Sequence, residues 1–157
     1  MKSIISKTMT LVAVAAALLS FSPNFPNGSG RGGEGFEIAL NGKVIVQRYG
    51  NNINNVANLQ FDKSSPNDKL TIRYHHCGRV GKNRIVTIKD GQDKVVKEWS
   101  FADTNEPVSP MTCYVKDILK LKKDNNSVLK LYYSSTELPK GRLLTAIVAG
   151  NNSMAKK

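Results

Sequence analysis

The chain has 157 residues, 40% of them hydrophobic and 22% charged, with 23 Lys and Arg against 12 Asp and Glu for a formal net charge of +11. That apolar fraction excludes a disordered chain, and the lack of a glycine triplet or a sustained heptad excludes collagen and coiled coil. The only long apolar run opens the chain, so there is no transmembrane bundle, and the length suits one folded domain.

Lys2 and Lys7 form a short positive region, residues 9–19 are apolar with no polar face, and Pro23 and Pro26 follow. This order reads as a signal peptide over residues 1–22, cleaved between Ser20 and Ser22, and predicts a secreted or periplasmic protein. Neither cysteine follows the apolar run, so no lipid anchor is expected. Without Lys2 and Lys7 the mature chain keeps 21 basic residues against 12 acidic ones, a net charge of +9. Residues 23–35, rich in Gly, Pro and Asn, read as a flexible leader. Gly28, Gly30 and Gly33 fit the spacing of a dinucleotide fingerprint, but no strand precedes them and no helix follows, so no nucleotide site is expected.

From residue 36 to residue 150 the apolar period is two. Residues 36–40 and 43–49 flank Asn41-Gly42, the strongest hairpin signal in the chain. An unbroken two-residue hairpin pairs Ile38 with Ile45 and Phe36 with Gln47, placing Phe36, Ile38, Leu40 and Ile45 on the core side. After an Asn-rich stretch, residues 59–61 form a short strand candidate. Residues 69–77 alternate strictly: Leu70, Ile72, Tyr74 and His76 take one face, Thr71, Arg73, His75 and Cys77 the other. A second hairpin over residues 84–101 turns at residues 90–93. A four-residue loop there sets Lys89 opposite Lys94 and puts Val86, Ile88, Val95, Trp99 and Phe101 in the core, with Lys97 awkwardly on the same side.

Residues 111–115 suit a strand and residues 115–119 a single helical turn ending near Lys122. Residues 128–133 and 143–148 form a last pair joined across residues 137–142, and residues 151–157 are a polar tail. Seven to eight short strands without a long amphipathic helix predict an all-β fold, an antiparallel β-sandwich, with a β-barrel as the alternative.

The strands at residues 84–91, 97–103 and 129–133 give the chain a weak resemblance to small secreted β-sandwich proteins of unknown function from Bacteroidota-type bacteria. The resemblance covers about half the chain; it implies a type of host and transfers no activity.

Two cysteines in an exported domain point to a disulfide between Cys77 and Cys113, which would close a long loop and stabilise the fold by about 4 kcal/mol. His75 and Cys77 share a face, but His76 alternates away from them, and no ligand spacing occurs elsewhere, so neither a metal nor any other cofactor is expected. Nucleophile-elbow and phosphate-loop motifs are absent, and three Asn-x-Ser matches at Asn27, Asn125 and Asn151 are close to the number chance provides. The remaining signal is charge. Arg79, Arg84, Lys89 and Lys94, in or beside the second hairpin, are the candidate ligand-binding residues. The reading favoured is a secreted, non-catalytic β-sandwich that binds an anionic glycan, an envelope component or a protein. A small carboxylate and histidine hydrolase or lyase, and an accessory or inhibitor-like protein-binding domain, are the alternatives. Nucleic acid is not expected as a partner, because export and the lack of clustered aromatics argue against it.

Overall fold

A computed structural model describes residues 33–61, 67–124 and 127–148. The predicted signal peptide, most of the leader with its Gly28 and Gly30, and the C-terminal tail lie outside the described residues. The described chain folds into nine strands, one short α-helix and a 3-10 turn at Gly50–Asn52: β1 (Gly35–Leu40), β2 (Lys43–Tyr49), β3 (Ala57–Gln60), β4 (Lys69–His75), β5 (Arg84–Lys89), β6 (Val95–Phe101), β7 (Met111–Tyr114), α1 (Val115–Leu119), β8 (Leu129–Ser135) and β9 (Leu138–Val148). They assemble into a four-stranded sheet, β2-β1-β4-β7, and a five-stranded sheet, β3-β9-β8-β5-β6. This is the all-β sandwich that the alternation requires, and neither sheet closes into a barrel. The pairing is antiparallel except at one edge, where β3 runs parallel to β9.

One core lies between the sheets. Phe36 and Ile38 of β1 and Leu70 and Ile72 of β4 meet Val86 and Ile88 of β5 and Leu131 and Tyr133 of β8 within a single apolar cluster, every one of them fully buried. Helix α1 adds Val115 and Ile118 to the same cluster. A helix this short cannot persist by backbone propensity alone, so its stability comes from burying those two side chains.

Irregular pairing corrects three details of the sequence reading. In the β1–β2 hairpin Leu40 pairs with Lys43 and Ala39 with Val44, but a bulge then sets Ile38 opposite Val46. The extra residue is Ile45, which is exposed, while Val46 takes its expected place in the core. In the β5–β6 hairpin a turn one residue longer than expected sets Lys89 opposite Val95, and a bulge then sets Ile88 opposite Lys97. Val95 is therefore exposed and Val96 packs on the core. Lys97 stays on the core side of this edge strand, reaching out over the Trp99 ring at 5.8 Å. Finally, residues 138–142, expected to be a connection, are the first half of β9, so the β8–β9 turn is only Thr136-Glu137. Gly141 makes this possible: its φ of +68° sits at an irregular stretch of the ladder.

Cys77 and Cys113 are not bonded to each other; Cys77 is exposed and Cys113 buried. The reason is register. Cys113 lies opposite Leu70, near the start of β4, whereas Cys77 follows the far end of that strand. The five residue-to-residue steps from Leu70 to His75 alone span about 16 Å, more than twice the reach of a disulfide.

Candidate functional site

The outward side chains of the four-stranded sheet fall into rows fixed by register. Tyr49, Gly35 and His75 form one row; Gln47, Glu37 and Arg73 the next; Val44, Ala39, Thr71 and Thr112 a third; Lys69 and Tyr114 the last. The middle of the face holds small residues, and aromatic rings stand at two opposite corners.

The first two rows are one hydrogen-bonded unit. Glu37 Oε1 accepts from Gln47 Nε2 at 2.9 Å and from the Tyr49 hydroxyl at 2.8 Å. The Tyr49 oxygen also lies 3.2 Å from His75 Nε2. Because the single phenolic proton goes to the carboxylate, Tyr49 accepts from His75 Nε2–H, which leaves Nδ1 of a neutral His75 as an acceptor. Burial holds the His75 pKa below its ordinary value, helped by the Arg73 charge and opposed by Glu37. Burial, then the Glu37 hydrogen bond, raises that of Tyr49. The Tyr49 ring meets His75 edge-on at 5.3 Å and lies over Gly35, where a β-carbon would overlap it. Glycine at this position is therefore what allows the ring to lie down on the sheet.

Arg73, half-buried, stands beside this unit without joining it. It stands directly across from Glu37 in the β1–β4 register, the arrangement in which opposite charges ordinarily pair. Glu37 is instead engaged by Gln47 and Tyr49 on its β2 side, and Arg73 makes no ion pair or hydrogen bond among the described residues.

A second polar cluster lies inside the same end of the sandwich. His76, 4% exposed, has its Nε2 2.8 Å from the Tyr133 hydroxyl and 3.3 Å from Ser135 Oγ. Beside it Arg142 donates to the Tyr74 hydroxyl, Asn54 Oδ1 and Glu34 Oε2 at 2.7 to 2.8 Å, tying the chain before β1 to both sheets. Its partners are internal, and it holds the sheets together at this end.

The four basic residues picked out by sequence do not converge. Arg84 is buried, its guanidinium donating to the Ser109 and Ala102 carbonyl oxygens while Nε has no partner among the described residues. It is a structural group rather than a surface one. Arg79 is exposed in the turn after β4, at the Arg84 end of the sandwich. Lys89 lies at the other end of β5, about 16 Å from Arg84. Lys94 is exposed in the turn, its backbone N–H held by Asp90 Oδ1 at 3.0 Å. Lys89 does not face Lys94. Its like-charged neighbour is Lys130 on β8, and the strain is relieved within the fold: Lys130 pairs with Asp93 at 2.8 Å and Lys89 lies 4.4 Å from the Tyr132 ring centre.

Of the residues that alternation puts on one face, Thr71, Arg73 and His75 lie together on the outer side of β4, whereas Cys77 falls in the turn beyond it; Glu37, Gln47 and Tyr49 are not legible as their neighbours from sequence. The bulge at Ile45 moves Gln47 from opposite Phe36 to opposite Glu37, and no local signal announces it. No family model matches the chain, and no curated protein matches it. Among the described residues no helix is long and apolar enough to cross a membrane.

Proposed function

We propose that the protein is an exported, non-catalytic binding module whose site is the outward face of β2, β1, β4 and β7, and that its ligand is an extended glycan. The observation that carries this reading is the Glu37–Gln47–Tyr49–His75 unit lying beside Arg73 on an otherwise small-residue face. Sugars present rows of hydroxyl groups and apolar ring edges, and they are held by planar acceptors and donors of fixed orientation together with aromatic rings. Glu37 Oε2, His75 Nδ1 and Arg73 supply those polar groups, and Tyr49 and Tyr114 supply rings, with Tyr114 42% exposed. A fixed array of this kind binds without first having to order its side chains.

Among the described residues, His75, Tyr49 and Glu37 form a surface group that matches the hydrolase or lyase alternative, while His76 is enclosed with Tyr133 and Ser135. The His75 group lies on a sheet face, and the Glu37 carboxylate is already occupied by hydrogen bonds from the Tyr49 hydroxyl and Gln47, so binding is the better reading. Affinity electrophoresis in gels cast with soluble polysaccharides tests it. Wild type is expected to be retarded by at least one of them. Gly35→Ala, which displaces the Tyr49 ring, and Tyr49→Ala should each run as in an empty gel while keeping the wild-type circular dichroism. Retardation unaffected by either change would place the ligand elsewhere, and release of shortened chains during incubation would make the protein an enzyme.

A further inference from the structure

We propose that this face is specific for carboxylate-bearing glycans, with Arg73 as the group that reads the uronate carboxylate and Lys69 as a second cation farther along the same strand. The inference rests on the glycan-binding reading above and adds the chemical class of its ligand.

Three observations support it. Among the described residues Arg73 has no hydrogen-bond or ion-pair partner although a carboxylate stands directly opposite in the register, because Glu37 is held on its other side by Gln47 and Tyr49. A guanidinium left in this way presents a planar fork of donors to one side of the sheet, the geometry that a carboxylate meets with two parallel hydrogen bonds. The outward residues of β4 are Lys69, Thr71, Arg73 and His75, so the strand offers cations at both Lys69 and Arg73 with a hydroxyl between them. That hydroxyl is paired with Thr112 at 3.0 Å, and Ala39 stands across from Thr71 on the other side, so the residues flanking this midpoint in the register are uncharged. The two α-carbons are about 13 Å apart along the strand, so a polymer carrying repeated carboxylates can engage both cations. Glu37 serves the same specificity from the opposite sense: its charge disfavours a carboxylate placed over β1 and directs it toward β4.

The test is the affinity of the full chain for polygalacturonate, for the same polymer with its carboxyl groups methyl-esterified, and for dextran sulfate, measured by calorimetry at two salt concentrations. Wild type is expected to bind the free acid roughly tenfold or more tightly than the ester, the strength of a bidentate charge-assisted contact. Arg73→Gln should remove most of that preference, lowering affinity for the free acid far more than affinity for the ester. Arg73→Lys, which keeps the charge but loses the fork, should restore only part of it. Thermal melting of each variant confirms that it is folded, and if Arg73→Gln fails to fold, the lysine variant alone decides. Equal affinity for acid and ester would overturn carboxylate recognition and leave the glycan-binding face standing. Dextran sulfate bound more tightly than polygalacturonate, with Arg73→Lys equal to wild type, would reduce the effect to undirected attraction of charge and also overturn it. Binding of none of the three polymers would overturn this proposal for the polymers it names, and the gel survey of neutral polysaccharides then decides the underlying reading separately.

Discussion

His75 and His76 are consecutive residues with opposite surroundings, because a strand turns successive side chains to opposite faces. His75 joins Tyr49 on the outside, and His76 is enclosed with Tyr133 and Ser135 inside. Burial lowers the pKa of both; at His76 Glu137 and Glu34 oppose it and Arg79 reinforces it. The unfolded chain takes up these two protons near about pH 6.5, and the folded protein takes them up only at lower pH. The unfolded state thus binds more protons in that window, and stability falls as pH drops through about 6.5, the loss ending once the folded values are passed. Urea midpoints at about pH 7.5 and about pH 5.5 should show a lower midpoint at the acidic value, with a smaller difference in His75→Gln. A midpoint that stays level or rises on acidification would contradict this account.

Turns set the register of each hairpin, and here the two differ in how much they reveal. Asn41 and Gly42 have φ of +49° and +85°, as the Asn-Gly pair leads one to expect. Asn41 does more than turn the chain. Its Oδ1 accepts the Lys69 backbone N–H at 2.9 Å, its Nδ2 donates to Asp68 at 3.0 Å, and its own N–H bonds to the Lys69 carbonyl. The turn of one hairpin is thereby stitched to the start of β4, the strand that carries Arg73 and His75. Asn41→Ala loses both side-chain bonds and strains the left-handed position, so we expect a loss of about 2 kcal/mol in urea unfolding. Gly42→Ala, which meets no neighbouring atom and adds only backbone strain, should lose about 1 kcal/mol. Equal costs for the two would show that the bonds to β4 contribute nothing. In the second hairpin Asp90 Oδ1 accepts from both Gln92 and Lys94, and Asp93 adopts a φ of +63°. This turn is one residue longer than composition implies, which is how Lys89 and Lys94 come to be out of line.

At the scale of the whole molecule, the position of each cysteine in the sandwich decides its chemistry. Cys113 is within the core cluster, and burial pushes its thiol up to about 12. Cys77 is in an exposed turn with a φ of +53°. Native protein treated with iodoacetamide should therefore gain one label, on Cys77, and a second only after unfolding, as mass spectrometry of the digested protein would show. Cys77→Ser should change stability by no more than about 0.5 kcal/mol, whereas a bridging cysteine would cost several. Complete protection of both thiols in the native, unreduced protein would contradict the arrangement.

Local signals were enough for the all-β class, the Asn41-Gly42 turn, the helical turn at α1 and the division of β4 into an inner and an outer face. Each depends on a short-range periodicity or on a turn residue that has few alternatives. The bulges at Ile45 and beside Lys89, the strand character of residues 138–142 and the parallel pairing of β3 with β9 came only from the tertiary structure. All of them follow from fitting two twisted sheets to a common core, a long-range requirement that no short window contains. The candidate site divides in the same way. Arg73 and His75 were legible as neighbours because one strand carries both, while Glu37, Gln47 and Tyr49 come from two other strands and reach them only through pairing. The charged residues that looked clustered in sequence were drawn apart for the same reason: β5 places Arg84 in the interior at one end and Lys89 at the other, and strand length outweighs nearness along the chain.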